Sequence, residues 1–456
     1  MSASRPAGND DYPFTVLRVA TLALDYAKGF LLPLLVYQQS GGSTLAVGVA
    51  YFVEFMPRAL LSPVFGSIVD RSVGKRLAFT VEGLRLSCML AWTLFGNAHF
   101  GWMLSSFVSL LSGMSLVYYE ATAAQRLAPA GLGRFQTRSQ LLEPLARLAG
   151  PGIAALAFSG LSPRAAIGAL AIGYALLLAA SIAWRAATTR RFATAIGRWT
   201  LAAERARFMT LATDAKLLAL TFAGGLLNVF FGVFQALIAP TMIGLYGMPA
   251  AYSALPNLAG GAISFVLCIV VPRCAKDLRP AGFGRLGVLC LALAAVLSAA
   301  NLGAWPFCLA FGLLIVGSAF FGIFFRDKRY ALIPEQQLAQ GIGATTSVMT
   351  AFLPVAGLVT AATNAFPSVL VIGAVGLVVA AALLAAIRFV GGGAHGAARR
   401  FAAADDCRGR LAAGAKRRAL KTCRPAGRAA CTNGAARYRG PSARRACPAT
   451  ASRDSR

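Results

Sequence analysis

Four groups of acidic and basic residues stand inside otherwise apolar stretches: Asp25 with Arg18 and Lys28, Glu54 with Arg58, Glu82 with Arg85, and Glu143 with Arg147. The last three pairs are spaced three or four residues apart, so on a helix each acid can reach its base. A satisfied ion pair is the simplest chemistry of that spacing. Asp25 follows Arg18 by seven and precedes Lys28 by three, which puts the three near one helical face. Neighbouring cations favour its charged form and an apolar setting favours the neutral one. A carboxyl balanced in this way can take up and release a proton, with Arg18 and Lys28 as its partners. The alternative is that Asp25 only completes a structural ion pair. Other chemistry has little to draw on. The chain has two histidines, His99 and His395, and nine cysteines without metal-ligand spacing. No metal, cofactor or enzymatic constellation is expected.

The segments that carry these groups must be helices in a bilayer. The 456-residue chain is 57% hydrophobic and 13% charged, against about 25% charged in an ordinary soluble domain. Apolar runs of around 20 residues recur, each long enough to cross a ~30 Å hydrocarbon layer as a helix. Within lipid the backbone must satisfy its own hydrogen bonds, and the alternation of a membrane barrel is missing. Ionisable residues are costly there and become functional candidates by default. Twelve spans are expected, the first over 14–37 and the last over 367–389.

Basic residues fall in alternate loops. One set carries Arg71, Lys75 and Arg76, then Arg126, Arg134 and Arg138, then six arginines between Arg185 and Arg207. Arg273, Lys276, Arg279 and Arg285 follow, then Arg326, Lys328 and Arg329, whereas the intervening loops hold only Arg164. This bias places the basic loops and both termini in the cytoplasm. The expected organisation is a cytoplasmic N-terminus over 1–13, a six-helix half over 14–185, a basic cytoplasmic linker over 186–214, a second six-helix half over 215–390, and a basic tail over 391–456. The tail carries much of the +28 net charge. It reads either as a disordered segment or as a polybasic contact with anionic lipid. The charge is spread over loops and tail without a nucleic-acid-binding motif, so no nucleic acid is expected.

The loop Gly66-Ser-Ile-Val-Asp70-Arg71-Ser-Val-Gly74-Lys75-Arg76 is the most specific signal. It resembles the signature of the major facilitator superfamily between helices two and three, with one extra residue between Arg71 and Gly74. The resemblance implies an all-α membrane fold of twelve helices in two six-helix halves, and a loop that latches the halves in one of two states. Gly150-Pro151-Gly152-Ile153-Ala154-Ala155 resembles the proline motif of proton-exchanging exporters in that superfamily, with alanines in place of its last two glycines. Over roughly 14–390 the pattern is most similar to the enterobactin-exporter group. It departs from drug–proton antiporters in lacking a membrane arginine in the fourth span.

The second half has few charges in its spans. Asn228, Phe231 and Gln235, with Phe230 and Phe234 nearby, and Phe320, Phe321, Phe324 and Phe325 further on, are expected to line a substrate cavity or to pack helices. The expected function is secondary active export of a small amphipathic molecule, such as a siderophore, secondary metabolite or drug, by proton antiport and alternating access. Its alternatives are a metabolite importer or facilitator on the same fold, and a lipid flippase or non-transporting membrane sensor. The expected partners are the small-molecule substrate, protons and the lipid bilayer. The expected setting is a monomer in a bacterial inner membrane.

Overall fold

The computed structural model describes residues 12–71, 75–96, 98–126, 129–183, 213–274, 280–333, 338–363 and 367–391. The described residues form helices joined by turns. The first six are α1 (Tyr12–Gln39), α2 (Thr44–Arg71), α3 (Lys75–Phe95), α4 (Ala98–Arg126), α5 (Pro129–Gly160) and α6 (Pro163–Ala183). Then come α7 (Ala215–Ala239), α8 (Leu255–Cys274), α9 (Pro280–Ala299), α10 (Ala304–Leu332), α11 (Leu338–Ala351), α12 (Leu353–Ala362) and α13 (Ser368–Gly391). The compact unit runs through Ala394.

Eleven segments qualify by length and composition to cross a membrane, α11 and α12 counting as one. The remaining long helix is α5, with 32 residues. Glu143, Arg147, Pro144 and Pro151 lower its apolarity, yet it packs along α1 and α8. Several helices extend beyond the expected spans, because hydropathy sees only the part of a helix that touches lipid. The tenth span, expected over 305–325, continues through Arg326, Lys328 and Arg329 to Leu332.

Two interruptions follow from proline and glycine. Pro354 cannot donate a backbone hydrogen bond, and the eleventh span breaks at Phe352 into α11 and α12. The Met349 carbonyl near the break then accepts from the Asn228 amide at 2.9 Å. After α7, Pro240 opens a π-helical turn to Leu245, Gly247 takes a φ of 64°, and a 3-10 turn spans Ala250–Ala254. The expected turn around Gly244, Gly247 and Pro249 lies here.

The packing repeats between the halves. In the first, α1 lies along α5, α2 on α4, α3 on α4 and α6. In the second, α7 lies along α12, α8 on α10, α9 on α10 and α13. The halves meet through equivalent pairs, α2 on α12 and α5 on α8. A Cβ on Gly48 would stand 2.2 Å from the Ala361 nitrogen, and one on Gly357 would stand 2.4 Å from the Phe52 nitrogen. The α2–α12 crossing is therefore backbone against backbone and needs glycine on both sides. It lies at the end of the bundle that carries the α1–α2 turn.

The expected linker over 186–214 is described only at Thr213 and Asp214. There the Asp214 carboxylate caps α7, accepting from the Lys216 and Leu217 amides at 2.8 and 3.2 Å. The tail beyond Gly391 lies outside the described residues.

Candidate functional site

The polar groups of the first half converge on α4. Asp25 on α1 accepts at Oδ1 from Arg85 Nη2 at 2.5 Å, from Ser112 at 2.7 Å and from Tyr174 at 3.4 Å. Arg85 on α3 is fully buried and also donates through Nη1 to Glu82 Oε2 at 2.8 Å. Ser115 donates to the other Glu82 oxygen at 2.7 Å. The guanidinium lies 4.6 Å from the Tyr174 ring centroid on α6. One arginine is thus shared by two carboxylates. Glu82 is only 1% exposed and Asp25 is 18% exposed, so Asp25 is the one that water can reach.

Lys28 points elsewhere. It forms a fully buried ion pair with Glu54 of α2, and Ser105 of α4 supports it through its hydroxyl at 3.2 Å and its carbonyl at 3.4 Å. Two expectations are corrected here. Glu54 pairs with Lys28 rather than with Arg58, because a buried ammonium must have a counter-ion and α1 brings Lys28 against Glu54. Asp25 pairs with Arg85 rather than with Lys28, so the grouping of Arg18, Asp25 and Lys28 on one face does not become one bonded cluster. Arg18 is half-buried two turns before Asp25. Arg58 lies across α4 where Gly113 leaves room, its Nε 3.0 Å from where a Cβ would stand.

The Glu82–Arg85 pair forms as its spacing implies. Glu143 and Arg147 are looser, at 3.7 Å, and Tyr26 of α1 stands between them. Arg147 Nη2 donates to the Tyr26 hydroxyl at 2.9 Å, and that hydroxyl donates to Glu143 at 3.2 Å. Arg147 Cζ also lies 4.8 Å from the Tyr26 ring and 5.1 Å from the Phe231 ring. Phe231 belongs to α7, so this cation joins the two halves.

Gly150 and Pro151 have a packing role. A Cβ at Gly150 would stand 2.3 Å from the Ala23 carbonyl, so the glycine is what lets α5 close on α1. Pro151 is buried within α5, which runs on through it. On the opposite side, Leu148 meets Gly261 of α8. Of the loop residues, Gly66, Asp70 and Arg71 end α2, Lys75 and Arg76 begin α3, and Gly74 lies outside the described residues. The side chains of those five lie outside the description too.

Among the expected cavity residues, Asn228, Phe231 and Gln235 are half-buried on one face of α7. Phe230, Phe234, Phe321 and Phe324 are fully buried and pack the second half, as do Phe320 and Phe325. Sequence reasoning missed the hydroxyls. Ser105, Ser112 and Ser115 sit seven and three apart on α4, a helical stripe of buried donors opposite Lys28, Asp25 and Glu82. That spacing was readable. Tyr26 and Tyr174 carried no such signal.

No family model matches the sequence, and no curated protein matches it. Solved structures do. A POT family transporter in complex with 5-aminolevulinic acid has a TM-score of 0.64 at 14% identity, covering 83% of this chain and 95% of its own. The nucleoside transporter NupG has a TM-score of 0.65 at 9% identity, with 83% and 98% covered. A bacterial homologue of the iron transporter ferroportin, solved in an inward-facing state, has a TM-score of 0.63 at 16% identity, with 83% and 98% covered. The chain therefore has the all-helical fold of major-facilitator-type transporters.

Proposed function

We propose that the protein is a secondary active transporter that exports a small amphipathic molecule in exchange for protons, by alternating access between two six-helix halves. The observation that carries this reading is the sharing of Arg85 between Asp25 and Glu82. A proton on Asp25 removes one carboxylate charge from the pair. Arg85 then keeps Glu82 as its counter-ion, so no buried guanidinium is stranded, an outcome that costs several kcal/mol where it occurs. Asp25 can therefore change charge while the buried scaffold stays satisfied.

In this cycle the deprotonated protein loads cargo from the cytoplasm. The halves then rock and cargo leaves on the far side. A proton enters Asp25 there and is released inside after the return. Arg85, placed on α3, fills the position next to the coupling acid that the arginine-free fourth span leaves open. Gly66, Asp70, Arg71, Gly74, Lys75 and Arg76 form the latch that biases the two states. Asp70, at the end of α2, is suited to face a positive helix terminus. The protein sits in a bacterial inner membrane with both termini cytoplasmic, as the loop charge indicates. A siderophore is one amphipathic cargo of the right kind.

The test uses everted membrane vesicles with an imposed pH gradient and a panel of amphipathic fluorophores of either charge. Exporter function predicts fluorophore accumulation that collapses with the gradient. Gradient-independent equilibration would instead make the protein a facilitator.

A further inference from the structure

We infer that the inter-half contact around Arg147 is an oxyanion-binding site, and that the cargo presents a carboxylate or similar planar anion to it. The inference rests on the reading of the chain as a carrier of amphipathic molecules, and it names the class of that cargo.

Arg147 is held from both halves of the bundle. Tyr26 of α1 and Phe231 of α7 each place a ring within 5.1 Å of its Cζ, and Phe231 is backed by Phe311 at 6.1 Å. Aromatic contacts of this kind fix a guanidinium without using its N–H groups. Its hydrogen bonding is far from complete. Nη2 donates to Tyr26, and Glu143 at 3.7 Å is beyond hydrogen-bonding distance. Nε and Nη1 make no hydrogen bond among the described residues, and neither is sealed from solvent. The side chain is 18% exposed.

This differs from the other buried cations. Arg85 is shared by two carboxylates, and Lys28 has a carboxylate, a hydroxyl and a carbonyl. Arg147 alone among these three is fixed in direction yet under-bonded, where the two halves touch. A planar fork of charge-assisted donors suits a carboxylate, sulfonate or phosphate, and rings beside it suit an aromatic body. A cationic cargo would meet the fixed charge of Arg147 head-on. Glu143 is the resident competitor: it is 35% exposed and also takes the Tyr26 proton donor. Bound anion and charged Glu143 oppose each other, so removing the Glu143 charge should tighten anion binding.

The experiment measures equilibrium binding to the full chain in nanodiscs with three matched probes: 1-naphthoate, 1-naphthylmethylamine and 2-naphthol. The parent is expected to bind naphthoate saturably and more tightly than the other two. Arg147→Gln should weaken naphthoate about tenfold or more, as for the loss of a hydrogen-bonded charge. Arg147→Lys should recover only part of that, because an ammonium lacks the fork. Glu143→Gln should tighten it, which also guards against misfolding as the cause of loss. Tighter binding of the amine, naphthoate binding unmoved in Arg147→Gln, or no saturable naphthoate binding would each overturn the site. Arg147-dependent naphthoate binding without proton-driven accumulation in vesicles would uphold the site and reject the exporter reading.

Discussion

Arg85 of α3 lies 2.5 Å from Asp25 of α1 while donating at 2.8 Å to Glu82 one turn away on its own helix. The two acids are unequal. Glu82 is sealed with Ser115, and Asp25 is open to water. Glu82→Gln leaves Arg85 with Asp25 as its sole carboxylate. Asp25 should then be held to its charge in both states. Proton-driven accumulation should fall at least as far as about tenfold, a loss consistent with a hydrogen bond to a charged group, while the protein stays folded. Accumulation equal to the parent would show that Glu82 has no part in coupling.

Lys28 and Glu54 form a closed pair with Ser105 and should behave as scaffold. Removing one partner strands a charge, at a cost of about 3–5 kcal/mol. Lys28→Met and Glu54→Gln should therefore each lower the melting temperature in detergent. The double change Lys28→Met with Glu54→Leu should recover most of the loss, because a matched apolar pair needs no counter-ion. Single variants as stable as the parent would mean that water or another group already compensates the pair.

The α2–α12 crossing has no room for a side chain at Gly48 or Gly357. Gly357→Val must push α12 away from α2. A cysteine placed at Ala361, tested in the variant, should react faster with a membrane-impermeant maleimide added from the α1–α2 side. Unchanged labelling would show that the helices separate without cost.

The tail should be dispensable, but the cut must respect α13. That helix runs to Gly391 and buries Val390, so a stop after Phe389 would remove a core residue. A stop after Ala394 coincides with the end of the compact unit. It should leave membrane insertion and melting temperature unchanged. Loss of inserted protein on that truncation would assign the tail a folding role.

Most of the fold was legible in the sequence, because lipid forces one solution on each apolar run and loop charge spaces the runs. Its helix ends were not: α10 carries Arg326, Lys328 and Arg329 inside the helix, where hydropathy reads a loop. At the site, acids and bases were identifiable singly, since each is costly in an apolar segment. Their partners were not. Spacing on one helix predicts Glu82–Arg85, and that pair forms. The same rule predicts Glu54–Arg58 and misses, because Lys28 arrives from another helix. Gly150 was noticed for its motif, whereas its physical role is the close approach of α5 to the Ala23 carbonyl. The sixfold-plus-sixfold repeat was faint in residues and plain in packing, because packing is repeated by shape rather than by residue identity.

The most direct test of the account replaces Asp25 by Asn, which keeps the shape and the hydrogen-bonding capacity but cannot titrate. Purified parent and Asp25→Asn protein are placed in proteoliposomes under an imposed pH gradient, and accumulation of a fluorophore that the parent concentrates is followed with time. The account predicts that Asp25→Asn still binds and equilibrates the fluorophore but does not concentrate it. Accumulation against the gradient at the parent's level would contradict it, and would leave Asp25 as one more partner in a structural ion network.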